Sequence, residues 1–409
     1  MKALFLGAGA SYDAGMPLVV ELSAELRRWL TPGKLRNLNA GWQGQGGGWS
    51  EKSILLLLGM LANRQLNYEQ IIGALEVDFS RERVTAARQE LHAIVAFLLQ
   101  VVRGFLLERH ARNLAFSLSV LDDFESIKDL VRGNTPLWVF SVNQDVMVEM
   151  LAAKFAVPVK TGFSETLAIE MRDGVGLPVS LQFERLSRAA ITSGTYNFFG
   201  RGEPGINLIK LHGGIDIFGQ GDELSYIKIV AAGGRPPSHV EQLSRLEALD
   251  LALATKDRVR AVNEHSYIDS AGTVQFLRNS TLSGAHKFSP SMTQVAPPEF
   301  MALLRTTLCH VTELICIGYG FGDRHIDEQI AGWLSVSADR ALVIVNPGLA
   351  ACPAHLAHLV RQVRLVPLGA RQFFVDLGGA SYRGSSPETR QLQSLNRQRK
   401  MHALLTEYG

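Results

Sequence analysis

The opening stretch of the chain, Ala3-Leu4-Phe5-Leu6-Gly7-Ala8-Gly9-Ala10-Ser11, constrains the fold more than any other. An uncharged apolar run that stops at a glycine-rich turn has the pattern of a strand at the buried centre of a parallel sheet. Gly7 and Gly9 lack a Cβ, so the backbone there can take unusual conformations and approach a ligand closely. A helix is expected to follow, past Gly15-Met16-Pro17, and its first N–H groups and partial positive charge suit a pyrophosphate. A tight strand-to-helix turn with no ligand uses the same residues, so the stretch alone leaves both readings open.

Beyond it, α/β patterns alternate with helical ones. Leu18, Leu22, Leu26 and Leu30 stand at helical spacing, Pro32-Gly33 predicts the end of that helix, and Gly41 to Gly48 reads as a flexible loop. From 50 to 132, apolar residues recur every three or four positions over Glu51–Ala62, Asn67–Val77, Arg81–His110 and Arg112–Val131. That predicts an inserted helical bundle with Phe97-Leu98-Leu99 in its core. Strand patterns return at Leu137–Val142, Ile206–Leu211, Glu313–Ile317 and Ala341–Val345, with a short last one at Val363–Pro367. Helices are expected over Val146–Phe155, Glu299–His310 and His325–Val336, whereas 157–203 is mixed and weakly patterned. A second insertion, helix and loops, is expected over 221–295, with its helix at Val240–Lys256, and a polar tail over 378–409. The expected fold class is therefore α/β, a Rossmann-like parallel sheet with a large inserted helical bundle. The sheet domain is assembled from 1–49, 133–220 and 296–377, and the bundle is 50–132.

Bulk properties narrow the function. A chain of 409 residues exceeds the usual size of one core. Its net charge of +2 offers no global attraction to nucleic acid or to a membrane surface, and neither partner is expected. The three cysteines, Cys309, Cys316 and Cys352, cannot form a four-cysteine zinc site and contain no C-x-x-C pair. The histidines share no convincing ligand spacing either, so no metal is expected. Few cysteines, no signal-peptide pattern, and a longest apolar run of only Ile54–Leu61 point to the cytoplasm.

Five apolar strands end in small or polar residues: Gly7-Ala8-Gly9, Asn143-Gln144-Asp145, His212-Gly213-Gly214, Gly318-Tyr319-Gly320 and Asn346-Pro347. Open parallel sheets bind ligands at the carboxyl ends of their strands. Core packing gives no reason for Asn, Asp and His to recur there, so the set defines a candidate site.

In this order, the ends resemble those of sirtuin-type NAD-binding domains. Gly7-Ala8-Gly9-Ala10-Ser11 with Gly15 and Pro17 is similar to their opening signature. Asn143 and Asp145 match an Asn-x-Asp strand end, Leu211-His212-Gly213 a Leu-His-Gly, and Val345-Asn346 an adenosine-side Asn. The resemblance is nearest to zinc-free bacterial sirtuin-like proteins, whose fourth strand end reads Gly-Tyr-Ser-Phe-x-Asp. Here that end is Gly318-Tyr319-Gly320-Phe321-Gly322-Asp323. The match covers 1–30, 135–155, 205–218 and 300–350 and leaves out the insertions. Two departures speak against acyl-lysine recognition: the zinc module is impossible, and Pro17-Leu18-Val19-Val20 replaces a Gly-Ile-Pro-Asp-Phe-Arg loop. The resemblance to the zinc-free proteins implies an NAD hydrolase that releases nicotinamide and ADP-ribose and depletes NAD in antiviral defence. It implies that Gly7, Ala8, Gly9, Ala10, Ser11, Gly15, Pro17, Gly318, Tyr319 and Asn346 surround the nucleotide.

Nicotinamide in NAD is a cationic leaving group and needs no general acid. An asparagine can orient a water or ribose hydroxyl, and a histidine can take the proton as the new bond forms. Asn143 is thus expected to position ribose and water, His212 to act as base or ribose-hydroxyl partner, and Asp145 to hold the nicotinamide carboxamide. Structural roles are open for the same residues: Asn143 as a helix cap, His212 as a turn histidine, Asp323 as the cap of the next helix, His325 as a solvated helix start. For the whole chain, the alternatives are a sensor of ADP-ribose or NAD without catalysis, or a zinc-free deacylase or ADP-ribosyltransferase. A Rossmann dehydrogenase fits poorly, because Tyr12 stands where a third glycine belongs. An NAD-depleting enzyme needs a trigger. Control by homo-oligomerisation, or by a partner ATPase or nuclease, is expected, with the bundle as contact surface.

Overall fold

β1 (Lys2–Leu6) forms where the opening pattern predicts it and is buried from Ala3 to Leu6. The computed structural model describes residues 1–221, 225–256, 261–281 and 299–379, together with 388, 392, 395, 396 and 399. Two units divide them: Met1–Met16, Leu106–Thr281 and the described part of Val295–Ser385 form the first, and Pro17–Phe105 with the described residues beyond Ser385 the second.

The first unit holds a seven-stranded parallel sheet. Beside β1 its strands are β2 (Leu137–Ser141), β3 (Val159–Lys160), β6 (Ile206–Lys210), β11 (Glu313–Ile317), β12 (Ala341–Val345) and β13 (Val363–Val366). Their order is β13-β12-β11-β1-β2-β6-β3. From β1 the chain builds outward through β2 and β6 on one side and through β11, β12 and β13 on the other, so the switch point of the sheet is at β1. Ile344, Cys316, Phe5, Phe140 and Ile209 stand opposite one another across five strands and share one buried core. Each ring in that row contributes roughly 1.5–3 kcal/mol by leaving water. The expected α/β sheet and all its apolar strands are present.

The same unit contains a closed antiparallel barrel that the sequence pattern did not predict. Its strands are β4 (Glu165–Arg172), β5 (Pro178–Ser187), β7 (Gly213–Gln220), β8 (Ser225–Ile229), β9 (Glu264–Asp269) and β10 (Val274–Thr281), in the order β10-β7-β8-β5-β4-β9. The stretch 221–295 is therefore not helix and loops alone. Its helix is present as Ser238–Lys256, but β8, β9 and β10 accompany it, while 282–298 lie outside the described residues. The proposed boundary at 220 falls between two paired barrel strands, β7 and β8. The tail 378–409 also lies almost wholly outside the described residues.

The second unit is helical and begins at Pro17, well before the expected boundary at 50. The helix Val19–Trp29 ends just before Pro32-Gly33, as expected, and Pro32 also starts the next helix, Pro32–Gln43. The Thr31 side chain accepts the Lys34 N–H, and proline suits a first helical position because its missing N–H has no partner there anyway. Phe97 packs against Trp42 and Trp49 with ring centroids 5.3 and 5.5 Å apart, in the core as expected. The helices expected at Arg81–His110 and Arg112–Val131 are one helix, Thr85–Val120, followed by Ile127–Gly133. Ala111, the best of helix formers, offers no break at the proposed joint. That long helix is apolar and long enough to cross a membrane, yet 67% of its most apolar window is buried within the protein, as in a core helix.

Candidate functional site

Leu6 stands opposite both Ile317 and Ser141, and Ser141 opposite Lys210, so β11, β1, β2 and β6 end level. The loops leaving these four ends build the site.

The first and fourth loops lock together backbone on backbone. Gly7 N donates to Ile317 O (3.0 Å) and Gly9 N to Gly318 O (2.9 Å). A Cβ on Gly7 would lie 2.6 Å from Tyr319 Cα, and one on Gly9 2.7 Å from Gly318 Cα. These glycines therefore serve the packing of two loops, a need the sequence reading ascribed to a ligand. Gly318 is left-handed (φ +63°), and a Cβ there would sit 2.2 Å from Ala10 N. Gly318→Ala should cost more than the roughly 1–2 kcal/mol of the left-handed backbone alone. Gly320→Ala and Gly322→Ala, with nothing near a new Cβ, should stay within about 0.5 kcal/mol. Chemical denaturation measures both.

The helix after the turn is only Gly9–Tyr12, with Ala8 before it, and the longer helix starts at Val19 in the other unit. The expected dipole at the turn is thus a single helical turn. Ser11 is buried in it, and Gly15 (φ +98°) closes it, its carbonyl accepting from Asn113 Nδ2 (2.8 Å). Pro17 is the first residue of the helical unit.

The loop after β2 is held from four sides. Asn143 Nδ2 donates to Gly7 O (2.9 Å) and lies 3.3 Å from Ser11 Oγ. Asp145 Oδ1 accepts from Met147 N (3.0 Å), so Asp145, not Asn143, serves the start of the helix Met147–Lys154. Burial pushes the Asp145 carboxyl above its ordinary value, opposed by the Met147 N–H and the Ser11 hydroxyl. His110 Nε2 accepts from Val146 N (3.2 Å), and Lys210 Nζ donates to the Asp145 carbonyl (2.8 Å). With Asn143's amide nitrogen committed, its amide oxygen is the atom able to face a ligand.

His212 follows β6 two residues beyond Lys210, just as Asn143 follows β2 two residues beyond Ser141, so both leave the carboxyl ends of adjacent strands. Both are nearly buried, 5% and 9% exposed. His212 Nε2 lies 3.0 Å from Asp323 Oδ2, while Asp323 Oδ1 accepts from His325 N (3.2 Å) at the start of the helix Arg324–Ser335. Asp323 is thus both a helix cap and the partner of His212, a pairing that no sequence spacing announces.

Beneath the site lies a buried charge cluster the sequence reading missed. Lys210 Nζ is 2.9 Å from Glu149 Oε1 and 2.9 Å from Asp216 Oδ1. Lys228 Nζ contacts Glu149 Oε1 (3.0 Å) and Asp216 Oδ2. Burial opposes all these charges, yet the two lysines hold both carboxyls below their usual range, and the carboxylates hold Lys228 above its own. A Cβ on Gly214 would lie 2.4 Å from Asp216 Oδ1, so the second glycine of His-Gly-Gly makes room for the cluster. Such a balanced quartet is costly to break: losing one partner leaves a buried charge uncompensated, at about 3–5 kcal/mol.

Two predicted ligand contacts are committed internally. The Tyr319 hydroxyl donates to Asp327 Oδ1 (2.8 Å), and its ring lies 4.9 Å from that of Phe5. Asn346 Nδ2 donates to Tyr319 O (3.0 Å), and its Oδ1 accepts from Gly348 N (2.8 Å). Both residues brace the fourth loop. Among the described residues no three His, Cys, Asp or Glu side chains stand together as a metal site needs.

Set against known proteins, the chain matches no protein-family model and no curated protein. Among solved structures it is similar to a Sir2 homologue in complex with NAD, at 11% identity and a TM-score of 0.40, over 92% of this chain and 87% of that one. It is similar also to a structure described as the structural basis of sirtuin substrate affinity, at 10% identity and a TM-score of 0.39, over 92% of each chain. Both are remote likenesses.

Proposed function

We propose that this protein is an NAD glycohydrolase that cleaves NAD to nicotinamide and ADP-ribose without zinc. The observations that carry the reading are an imidazole–carboxylate couple, His212–Asp323, and an asparagine amide fixed on Gly7 O, Asn143, borne on loops at the carboxyl ends of the adjacent strands β6 and β2 of a parallel sheet. Nicotinamide departs with the bonding electrons of the C–N bond and leaves neutral. The Asn143 amide oxygen orients the attacking water, and His212 accepts its proton as the new C–O bond forms. The Asp145 carboxyl, which takes the Met147 N–H and the Ser11 hydroxyl, also accepts from the carboxamide of the substrate.

The test is purified protein incubated with NAD alone, with nicotinamide and ADP-ribose separated by chromatography. Equal amounts of both, with no acceptor present, support hydrolysis. NAD that persists at micromolar enzyme, alone and with candidate partners, counts against it. The motif resemblance extends the proposal to NAD depletion in antiviral defence, in the cytoplasm. Self-association or a partner ATPase or nuclease would then control activity, and the infected cell's NAD content is the measurement that checks this.

A further inference from the structure

We propose, on the reading that His212 is the base, that Asp323 is a positioning residue that sets which ring nitrogen of His212 accepts the proton. β11 and β6 are separated by β1 and β2, three strand spacings or about 14 Å. Yet a carboxylate borne after β11 meets an imidazole borne after β6 at 3.0 Å. The segment 318–323 and the two side chains together therefore span the carboxyl ends of β1 and β2. Six residues can do so, since extended chain covers about 3.3 Å per residue.

The segment is tied at both ends, and between them the Phe321 ring packs against those of Tyr319 (4.8 Å) and His355 (5.9 Å). Its root is fixed by Gly318 against Gly9, by the Tyr319 hydroxyl on Asp327, and by Asn346 on Tyr319 O. Its far end is fixed by Asp323 Oδ1 on His325 N. Between them, Gly320 and Gly322 have nothing within 4 Å of an added Cβ, and Phe321 holds a left-handed backbone (φ +54°) that a non-glycine residue adopts at a cost. The fixed ends aim one carboxylate oxygen at His212. A carboxylate on Nε2 makes Nε2 the protonated nitrogen and leaves the lone pair on Nδ1. Nδ1 is then the atom that takes the proton from water or ribose hydroxyl.

Asp323→Asn separates orientation from folding, because asparagine caps a helix as well as aspartate does. Its melting temperature should stay close to that of the parent. The ring ¹⁵N spectrum of His212, assigned by its loss in His212→Gln, should shift from the Nε2–H form toward a mixture of tautomers. In the same variant kcat for NAD should fall at least about 100-fold with KM within about threefold, since a misoriented base of this kind can cost up to about 10⁴-fold. Asp323→Glu, which keeps the carboxylate, should recover part of the loss. An unchanged His212 ring spectrum in Asp323→Asn would overturn the proposal whatever the activity. If the parent leaves NAD intact, the glycohydrolase reading fails, while the ring spectrum still decides whether Asp323 sets the tautomer.

Discussion

His212→Ala is expected to lower NAD turnover by roughly 10²–10⁴-fold, the usual worth of a positioned general base. The loss should fall on kcat and leave KM little changed, because in the proposed mechanism the imidazole acts on the forming bond and not on the bound nucleotide. The fold should survive, for His212 sits at a strand end and not among the row of rings that includes Phe5 and Phe140. Asn143→Ala should abolish turnover as thoroughly but less cleanly. Its Nδ2 ties the β2 loop to Gly7 O, so removing it leaves a buried carbonyl without that donor, at a cost of about 1–3 kcal/mol. Asn143→Asp is worse again, since a carboxylate oxygen would face Gly7 O. Nicotinamide release measured beside a thermal melt separates lost chemistry from lost structure. His212→Ala that hydrolyses NAD at the parent rate would remove the imidazole from the mechanism.

The sheet was legible because buried parallel strands are written as short uncharged runs that stop at glycine or at Asn, Asp and His, as at Leu6-Gly7 and Val142-Asn143. The barrel was less so, although Val179, Leu181 and Phe183 alternate with Ser180, Gln182 and Glu184, the two-residue period of a strand with one face inward. Three of its pairings are hairpins, but those that close it, β5 with β8, β7 with β10 and β4 with β9, join segments dozens of residues apart, and nothing in one strand names its partner. The charge cluster left a similar trace. Lys210, Asp216 and Lys228 each stand alone inside an apolar run, Ile-Lys-Leu, Ile-Asp-Ile and Ile-Lys-Ile, where a solitary charge must be either exposed or paired. Spacing could not say which. The pairing of Asp323 with His212 had no signal at all, because it joins loops that leave strands with two others between them. Helix ends fared better: Asp323 was recognisable as a cap, and the cap fixes the carboxylate that His212 meets.

Stability should fall steeply as the pH drops from about 6.5 toward 4, because the first unit buries two histidines that it must keep neutral. Burial, reinforced by Lys228, brings His239 down from 6.5 to about 4, and burial, reinforced by Lys210, brings His110 to about 3. Both rings face further groups in the same cluster: Glu149 and Asp216 pull the other way and do not prevail. The unfolded chain takes up these protons near its ordinary histidine value while the folded chain does not, so stability rises with pH across this window and acid removes it. A fall from 6.5 to about 4 corresponds to roughly 3 kcal/mol for His239, and His110 adds more. Together they are comparable with the whole stability of an ordinary domain, about 5–15 kcal/mol. Glu149 and Asp216, held low by the lysines, extend the loss at the acid end, since their contribution disappears as pH falls through their folded values. Lys228 is shifted upward, so its contribution is complete throughout this range and weakens only in strong base. Thermal melts between pH 8 and 4.5 measure the slope, and His239→Leu isolates one ring. That variant forfeits the 2.9 Å contact with Ile229 O, worth about 1 kcal/mol at pH 8, but should lose less on acidification than the parent. If the variant and the parent fall in parallel down to pH 4.5, the buried neutral His239 is not what makes the fold acid-sensitive.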